Sequence, residues 1–143
     1  MGDEKYHAKL ARERRERAIN ELGNRRHTTV GVLALRAVEE ALDACASREK
    51  IHFHSHPKTA RVKRNKWLNE NFPELTKSFE TLLEAYEYFR SPRHALGYER
   101  APIYLVWWWR FPTREHSVRA TKAVEAMENN LNVLQRKSGI RFK

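Results

Sequence analysis

The hydrophobic and polar positions of this chain alternate with the period of an α-helix over most of its length. In residues 4–22 the apolar positions recur at helical spacing: Tyr6, Leu10, Ala18 and Leu22. Gly23 and Asn24 then indicate the end of that helix. The next segment, TTVGVLALRAVEEALDACAS, is apolar on almost every side until its second half, where Glu39, Glu40 and Asp43 form one polar stripe. This pattern predicts the most buried helix of the fold.

Three further helices are predicted downstream. The segment TARVKRNKWLNENF carries a cluster of cations, with Trp67 and Leu68 on an apolar edge, and predicts a short basic helix. Pro73 suits the first turn of the next helix, PELTKSFETLLEAYEYFR, which keeps a clear 3.6-residue period. Thr113 is expected to cap the last helix, in which apolar residues alternate spacings of four and three, as in bundle helices.

The segment 91–112 interrupts this pattern. It holds three of the five prolines and the run IYLVWWWRF, which predicts a long aromatic loop before the last helix. Taken together, the elements predict an all-α fold: an antiparallel up-and-down four-helix bundle with an extra short basic helix. A chain of 143 residues suits one domain with one core, so we expect residues 1–143 to form a single domain.

Composition narrows the class of protein. Lys and Arg outnumber Asp and Glu by 28 to 18, and the formal charge of +10 favours RNA, DNA, nucleotides or acidic protein surfaces as partners. The single cysteine, Cys45, excludes an intrachain disulfide and indicates a reducing compartment. There is no apolar run long enough for a membrane span and no signal peptide, so we expect a soluble cytoplasmic protein. One Gln and two Met beside 32% charged residues are typical of a thermophile.

Four segments, in their order along the chain, suggest a family. The helix TTVGVLALRAVEEALDACAS is similar to a long alanine-rich core helix, and SHPKTARVKRNKWLNENF to a following segment in which a His and a Lys precede a short helix. LLEAYEYFRSPRHALGY is similar to the end of a third helix, and EHSVRATKAVEAMENNLNVL to a closing helix. In this layout the chain resembles the HEPN family (higher eukaryotes and prokaryotes nucleotide-binding) over residues 5–137, by helix character more than by sharp motifs.

The resemblance implies an up-and-down four-helix bundle, usually a homodimer, that acts on or near nucleic acid. Many members of the family are ribonucleases that need no metal or cofactor and use an Arg followed a few residues later by a His, facing the dimer cleft. Others lack this pair and bind a partner protein, often a nucleotidyltransferase, as in toxin–antitoxin systems. The resemblance therefore leaves open an RNA- or nucleotide-binding protein, a metal-independent endoribonuclease and a non-enzymatic interaction module.

The stretch RFPTREH supplies a candidate catalytic pair at the start of the last helix. Arg110 and His116 have five residues between them. An imidazole can move a proton near neutral pH, and a guanidinium can hold the charge that develops on a phosphate. A solvated helix start is the alternative, because Arg48 and His54 show the same spacing and because Phe111 replaces the polar residue common in the family.

Two clusters of cations are predicted to bind nucleic acid. One lies in the basic helix and the other in the stretch RSPRHALGYER. The predicted contacts are Lys58, Arg61, Lys63, Arg64, Lys66, Arg90, Arg93, His94 and Arg100. Cations in such clusters can follow a phosphate backbone. A solvated helix face, and cations that complement a helix C-terminus, are the alternatives.

Trp107, Trp108 and Trp109 admit three interpretations. They can stack on unpaired bases, bury area at a dimer interface, or cover one end of the bundle. Three consecutive side chains cannot all face the same way, so two of these roles are expected to share the run.

The stretch IHFHSHP raises the question of a metal site. In an extended segment His52, His54 and His56 project to one side, and a His-x-His pair can bind zinc when further ligands arrive. No Cys or carboxylate is suitably placed in the sequence, since Cys45 and Glu49 belong to the preceding helix and its end. We therefore predict no metal, and a loop that leads into the basic helix.

Overall fold

The computed structural model describes residues 2–90 and 113–143, and the regular elements within these ranges are all helical. The five α-helices are α1 (Gly2–Gly23), α2 (His27–Ser47), α3 (Ala60–Asn71), α4 (Thr76–Arg90) and α5 (Thr113–Ser138). Short 3₁₀ turns lie at Phe53–Ser55 and Pro73–Leu75. The predicted all-α class is confirmed for the described ranges. The predicted aromatic loop, with Trp107, Trp108 and Trp109, lies outside them.

The end of α1 shows how the local sequence stops a helix. The N–H of Arg25 donates to the carbonyl of Leu22 at 3.1 Å, and the N–H of Arg26 donates to the carbonyl of Glu21 at 2.9 Å. This pair of hydrogen bonds is the Schellman arrangement, which needs a left-handed residue after the helix. That residue is Arg25, with φ 59°, so the left-handed position falls beyond the predicted stop residues Gly23 and Asn24.

Helix α2 packs against all four other α-helices. Its small side chains allow this: Ala34, Ala37, Ala41 and Ala44 have no exposed surface. Because these four alanines lie on one side of the helix, a neighbouring helix can approach that side closely, while Leu35 and Leu42 fill the core from another side. The predicted burial of this helix is confirmed, and the buried side chains around it form the main hydrophobic core.

Polar contacts join several of the helices to one another. Arg48, just after α2, donates to Glu4 in the first turn of α1 at 2.9 Å and also to the carbonyl of Ser138 at the end of α5. In the first turn of α4, Ser78 accepts a hydrogen bond of 2.8 Å from Asn130 of α5. Ion pairs and hydrogen bonds between helices therefore add to the packing of the hydrophobic core. Within the two described ranges, none of the helices combines the length and apolar character that a membrane span requires.

Candidate nucleic-acid interface

The polar stripe on α2 is buried. Glu39 is 1% exposed and Asp43 is 4% exposed, although both project from the helix that packs at the centre of the fold. Helices α1 and α3 cover this stripe instead of leaving it in solvent. A buried carboxylate costs free energy unless it is paired and hydrogen-bonded. The residues that pair with Glu39 and Asp43 therefore fix how the neighbouring helices pack against α2.

Arg64 of α3 is the partner of Asp43. Its Nε and Nη2 atoms donate to the two carboxylate oxygens of Asp43 at 2.7 and 2.9 Å, and its Nη1 lies 3.5 Å from Glu39. Burial raises the pKa of Asp43, and the two hydrogen bonds from Arg64 oppose that rise. Arg64 is itself buried at 7% exposure. The guanidinium predicted to contact nucleic acid is therefore occupied by an internal carboxylate.

Arg61, one turn earlier on α3, is held in the same way. Its Nε and Nη2 atoms donate to Glu39 at 3.1 and 3.4 Å, and its guanidinium lies 4.6 Å from the centre of the Tyr86 ring. Charge-assisted pairs of this kind fix the orientation of a planar guanidinium. The two arginines of α3 thus point towards α2 and α4 and bind the helix to the core.

The lysines of the same region point the other way. Lys58, Lys63 and Lys66 are exposed, and none of them forms an ion pair with any residue that the structure describes. Some lysines elsewhere are held in ion pairs, Lys137 with Glu74 and Lys143 with Glu128. The outer surface of α3 therefore presents lysines that no ion pair within the described residues holds.

His7 of α1 completes the buried polar cluster. Its Nδ1 lies 2.6 Å from Glu40 of α2, and His7 is 5% exposed. The hydrogen bond with Glu40 raises the pKa of His7, and the nearby charges of Asp43 and Asp3 act in the same direction. Burial raises the pKa of Glu40, but the hydrogen bond from His7 and the charges of neighbouring arginines outweigh it and lower that pKa. The raised pKa of His7 and the lowered pKa of Glu40 both favour the imidazolium–carboxylate form of this pair.

These residues open onto a groove between α1, α2 and α3, which we call the α1–α3 groove. Its volume is about 680 Å³. Five cations line it: Arg14, Arg36, Lys58, Arg61 and Arg64. Three carboxylates line it as well: Asp3, Glu40 and Asp43. Tyr6 and Leu10 of α1 and Pro57 before α3 supply apolar surface.

One cluster in this groove has the donor set of a metal site. His7, Glu40 and Asp43 each offer a ligand atom, and these atoms all lie within 4.8 Å of one another. However, both oxygens of Asp43 already accept hydrogen bonds from Arg64, and the positive charges of Arg14 and Arg36 act on Glu40. A divalent cation would enter a field of several guanidinium groups. The groove is therefore better suited to an anion.

His116, one member of the predicted catalytic pair, lies in the interior between α4 and α5. It has no exposed surface, and its ring contacts Tyr88 and Phe89 at centroid distances of 5.4 and 5.5 Å. The hydroxyl of Tyr88 lies 3.4 Å from its Nδ1, and the guanidinium of Arg119 covers the Tyr88 ring at 4.3 Å. The imidazole is thus a buried member of an aromatic cluster with Tyr88 and Phe89. Its predicted partner, Arg110, lies outside the described residues.

The remaining predicted contacts are separated from the groove. Arg90 is exposed at the end of α4, 3.5 Å from Glu87, while Arg93, His94 and Arg100 lie outside the described residues. Of the alternating histidines, His52 faces α1, where its Nδ1 is 3.3 Å from Asp3. His56 is exposed and follows the turn Phe53–Ser55.

Sequence reasoning missed the residues of α1 and α2 in this site. Helical spacing assigns Tyr6 to an apolar face. His7, Arg14 and Arg36 have no distinctive spacing among the many charged residues of the chain. A usable signal was present in the three acids on an otherwise apolar helix, because buried carboxylates require cationic partners from other elements. The identity of those partners could not be read from spacing, since they come from two other helices.

No protein-family description, curated protein or solved structure matches this chain at a significant level.

Proposed function

We propose that this protein binds RNA through the exposed face of α3 and the adjoining α1–α3 groove. The observation that carries the proposal is the division of α3 into arginines that pair inward and lysines that lie outside, in no ion pair with a described residue. Exposed lysines that are not held in ion pairs can neutralise phosphates and release condensed counterions, which is the main source of affinity for a nucleic-acid backbone. The overall charge of +10 supports the same class of partner.

The internal ion pairs support a rigid binding surface. Arg61 and Arg64 attach α3 to carboxylates of α2, and Trp67 and Leu68 are buried beneath it. Lys63 and Lys66 are therefore presented from a helix whose rotation is fixed. A fixed array loses less conformational freedom when it binds than a flexible cationic tail would.

We also propose, from the directions of neighbouring helices, that α1, α2, α4 and α5 form an antiparallel up-and-down bundle of HEPN type and that it dimerises. The polar contacts between the ends of α1, α2 and α5 support this arrangement. In such a bundle α3 lies outside the four-helix core, where it can meet a long polyanion. Light scattering of the purified chain measures the dimer directly, and a monomer at micromolar concentration would remove that part of the proposal.

RNA binding is tested by fluorescence anisotropy with a labelled single-stranded RNA over a range of salt concentrations. The variant Lys63→Ala/Lys66→Ala removes two cations of α3. We expect its affinity to fall about tenfold, and the slope of log K against log salt to become shallower by about 1.4, which is roughly 0.7 for each lost phosphate contact on a single strand.

The matched control is Lys77→Ala/Lys122→Ala, which removes two exposed lysines of α4 and α5. Because both doubles lower the net charge equally, a difference between them reports position and not charge. Equal losses in the two doubles would contradict a specific role for α3. Absence of RNA binding in the unmodified protein would favour the alternative, an interaction module for a nucleotidyltransferase-type or other protein partner.

The same samples test for cleavage. RNA incubated with the protein in EDTA is followed by gel electrophoresis, with Arg110→Ala and His116→Ala as variants. Loss of cleavage in both variants, with binding retained, would add a metal-independent endoribonuclease activity to the proposed binding. Cleavage that continues unchanged in both would exclude these two residues from the mechanism.

A further inference from the structure

Tyr6 gives the α1–α3 groove an aromatic surface beside its charges. The side chain lines the groove and remains 59% exposed, which is unusual for a large apolar ring on a helix that packs along its length. Its ring meets that of His7 edge-on at a centroid distance of 5.3 Å. Because His7 is fixed by Glu40, this contact supports the Tyr6 ring while leaving much of it open to a ligand.

The charges in the groove are unevenly compensated. Asp43 is paired with Arg64 and Glu40 with His7. The third carboxylate of the lining, Asp3, lies 3.3 Å from His52.

Three further cations of the groove lining are not paired with its carboxylates. Lys58 and Arg14 form no ion pair among the residues the structure describes, and Arg36 reaches only Glu39, at 3.5 Å, with 45% of its side chain exposed. The groove thus retains positive charge after its internal pairs are formed, which favours an anionic ligand.

We infer that the α1–α3 groove binds one unpaired nucleotide, with its base on Tyr6 and its phosphate on Arg14, Arg36 and Lys58. Aromatic rings stack on the faces of unpaired bases, and guanidinium groups bind phosphate by paired hydrogen bonds. A volume of about 680 Å³ suits a small ligand of this size. The choice of ligand rests on the proposed RNA binding.

This pocket discriminates between forms of RNA. In a duplex both faces of each base are covered by neighbouring pairs, so no face is offered to Tyr6. A single strand that follows the lysines of α3 can turn one base into the groove, since Lys58 lies both before α3 and in the groove wall. The expected ligand is therefore single-stranded RNA with no strict base sequence, because stacking tolerates every base.

The inference is tested by isothermal titration calorimetry of the full chain with each of the four ribonucleoside monophosphates. Inorganic phosphate and the four nucleosides serve as half-ligand probes. We expect saturable binding of at least one monophosphate, and binding at least tenfold weaker for its nucleoside and for phosphate. Tyr6→Ala and Arg36→Ala should each weaken the monophosphate at least tenfold, whereas Tyr6→Phe should retain the affinity, because a phenyl ring also stacks.

The variants suit the test, because Tyr6 and Arg36 are exposed and their replacement leaves the core intact; circular dichroism melting verifies this. Lys122→Ala is the control for loss of a distant cation. If no monophosphate binds, or if Tyr6→Ala binds as well as Tyr6→Phe, the inference is wrong. If instead the α3 proposal is wrong, Lys63→Ala/Lys66→Ala leaves the affinity for RNA unchanged. Binding of the monophosphate, and its dependence on Tyr6, are still observed in that case.

Discussion

Gly31 on α2 shows how one missing side chain sets the distance between two helices. A Cβ atom at this position would lie 2.6 Å from Cδ2 of Phe89, whose ring on α4 is 1% exposed. We expect Gly31→Ala to lower the free energy of unfolding by about 1–3 kcal/mol, because a buried ring must move to avoid the methyl group. Urea denaturation measures the change.

The control for this substitution is Gly23→Ala at the end of α1, where no atom lies within 4 Å of an added Cβ. There the methyl group meets no neighbour, and the higher helix propensity of alanine should leave stability unchanged or raise it by up to about 1 kcal/mol. Equal effects at both glycines would show that backbone propensity, and not the contact with Phe89, accounts for the cost.

Cys45 is a second residue whose surroundings decide its behaviour. Burial raises the pKa of its thiol to about 11, and its exposure is 7%. Since the thiolate is the reactive form, we expect iodoacetamide at pH 8 to leave the native protein unmodified over a period that suffices to alkylate the protein fully in denaturant. Mass spectrometry measures the extent of labelling. Equal rates in the two conditions would contradict the burial of this thiol.

At the scale of secondary-structure elements, a buried ion pair holds helix α3 to α2. Arg64→Ala leaves Asp43 without its two hydrogen bonds, and removal of one partner of a buried pair costs about 3–5 kcal/mol. We expect a loss of this order in the free energy of unfolding, measured by urea denaturation. The double variant Arg64→Leu/Asp43→Leu removes both charges and should recover most of the loss, because apolar replacements avoid an unpaired ion.

A comparison within the same helix provides the control for this prediction. Lys63→Ala removes an exposed cation from the position next to Arg64 and should change stability by less than about 0.5 kcal/mol. If Arg64→Ala were as mild as Lys63→Ala, the pair with Asp43 would contribute little to the docking of α3.

The helices themselves were largely predictable from sequence, whereas the orientation of α3 was not. Periodicity located the five α-helices of residues 2–90 and 113–143, because the alternation of apolar and polar residues is a local property of the chain. From sequence alone, Arg61 and Arg64 are predicted to contact nucleic acid together with Lys63 and Lys66. Spacing alone could not separate them, since the separation depends on carboxylates that α2 contributes from about twenty residues away.

For the whole molecule, the pair of His7 and Glu40 makes the contact between α1 and α2 depend on pH. The pKa of His7 in the folded chain is raised above its ordinary value of 6.5, so the pair stabilises the fold fully below that pH. Its contribution is lost as the pH rises through the higher folded value. We expect the free energy of unfolding, measured in urea at intervals from about pH 6 to about pH 9, to decrease over this window.

The variant His7→Gln separates this pair from other titrating groups. Glu40, the carboxylate bonded to His7, has a lowered pKa, so its own titration lies on the acid side of this window. The decrease should therefore be smaller in His7→Gln than in the unmodified protein. An identical pH dependence in both proteins would mean that His7 gains no proton affinity on folding.

The sequence by itself determined where the helices lie, which of them is most buried, and that the molecule carries a large excess of positive charge. These properties follow from local periodicity and from composition, so they need no knowledge of neighbours. Only the tertiary structure decided which charges are available to a ligand. Each residue turns a helix by about 100°, so cations a few positions apart on α3 face opposite sides, and the buried acids of α2 select the side that stays inside. The same packing brought Tyr6, His7, Arg14 and Arg36 to one groove from two helices.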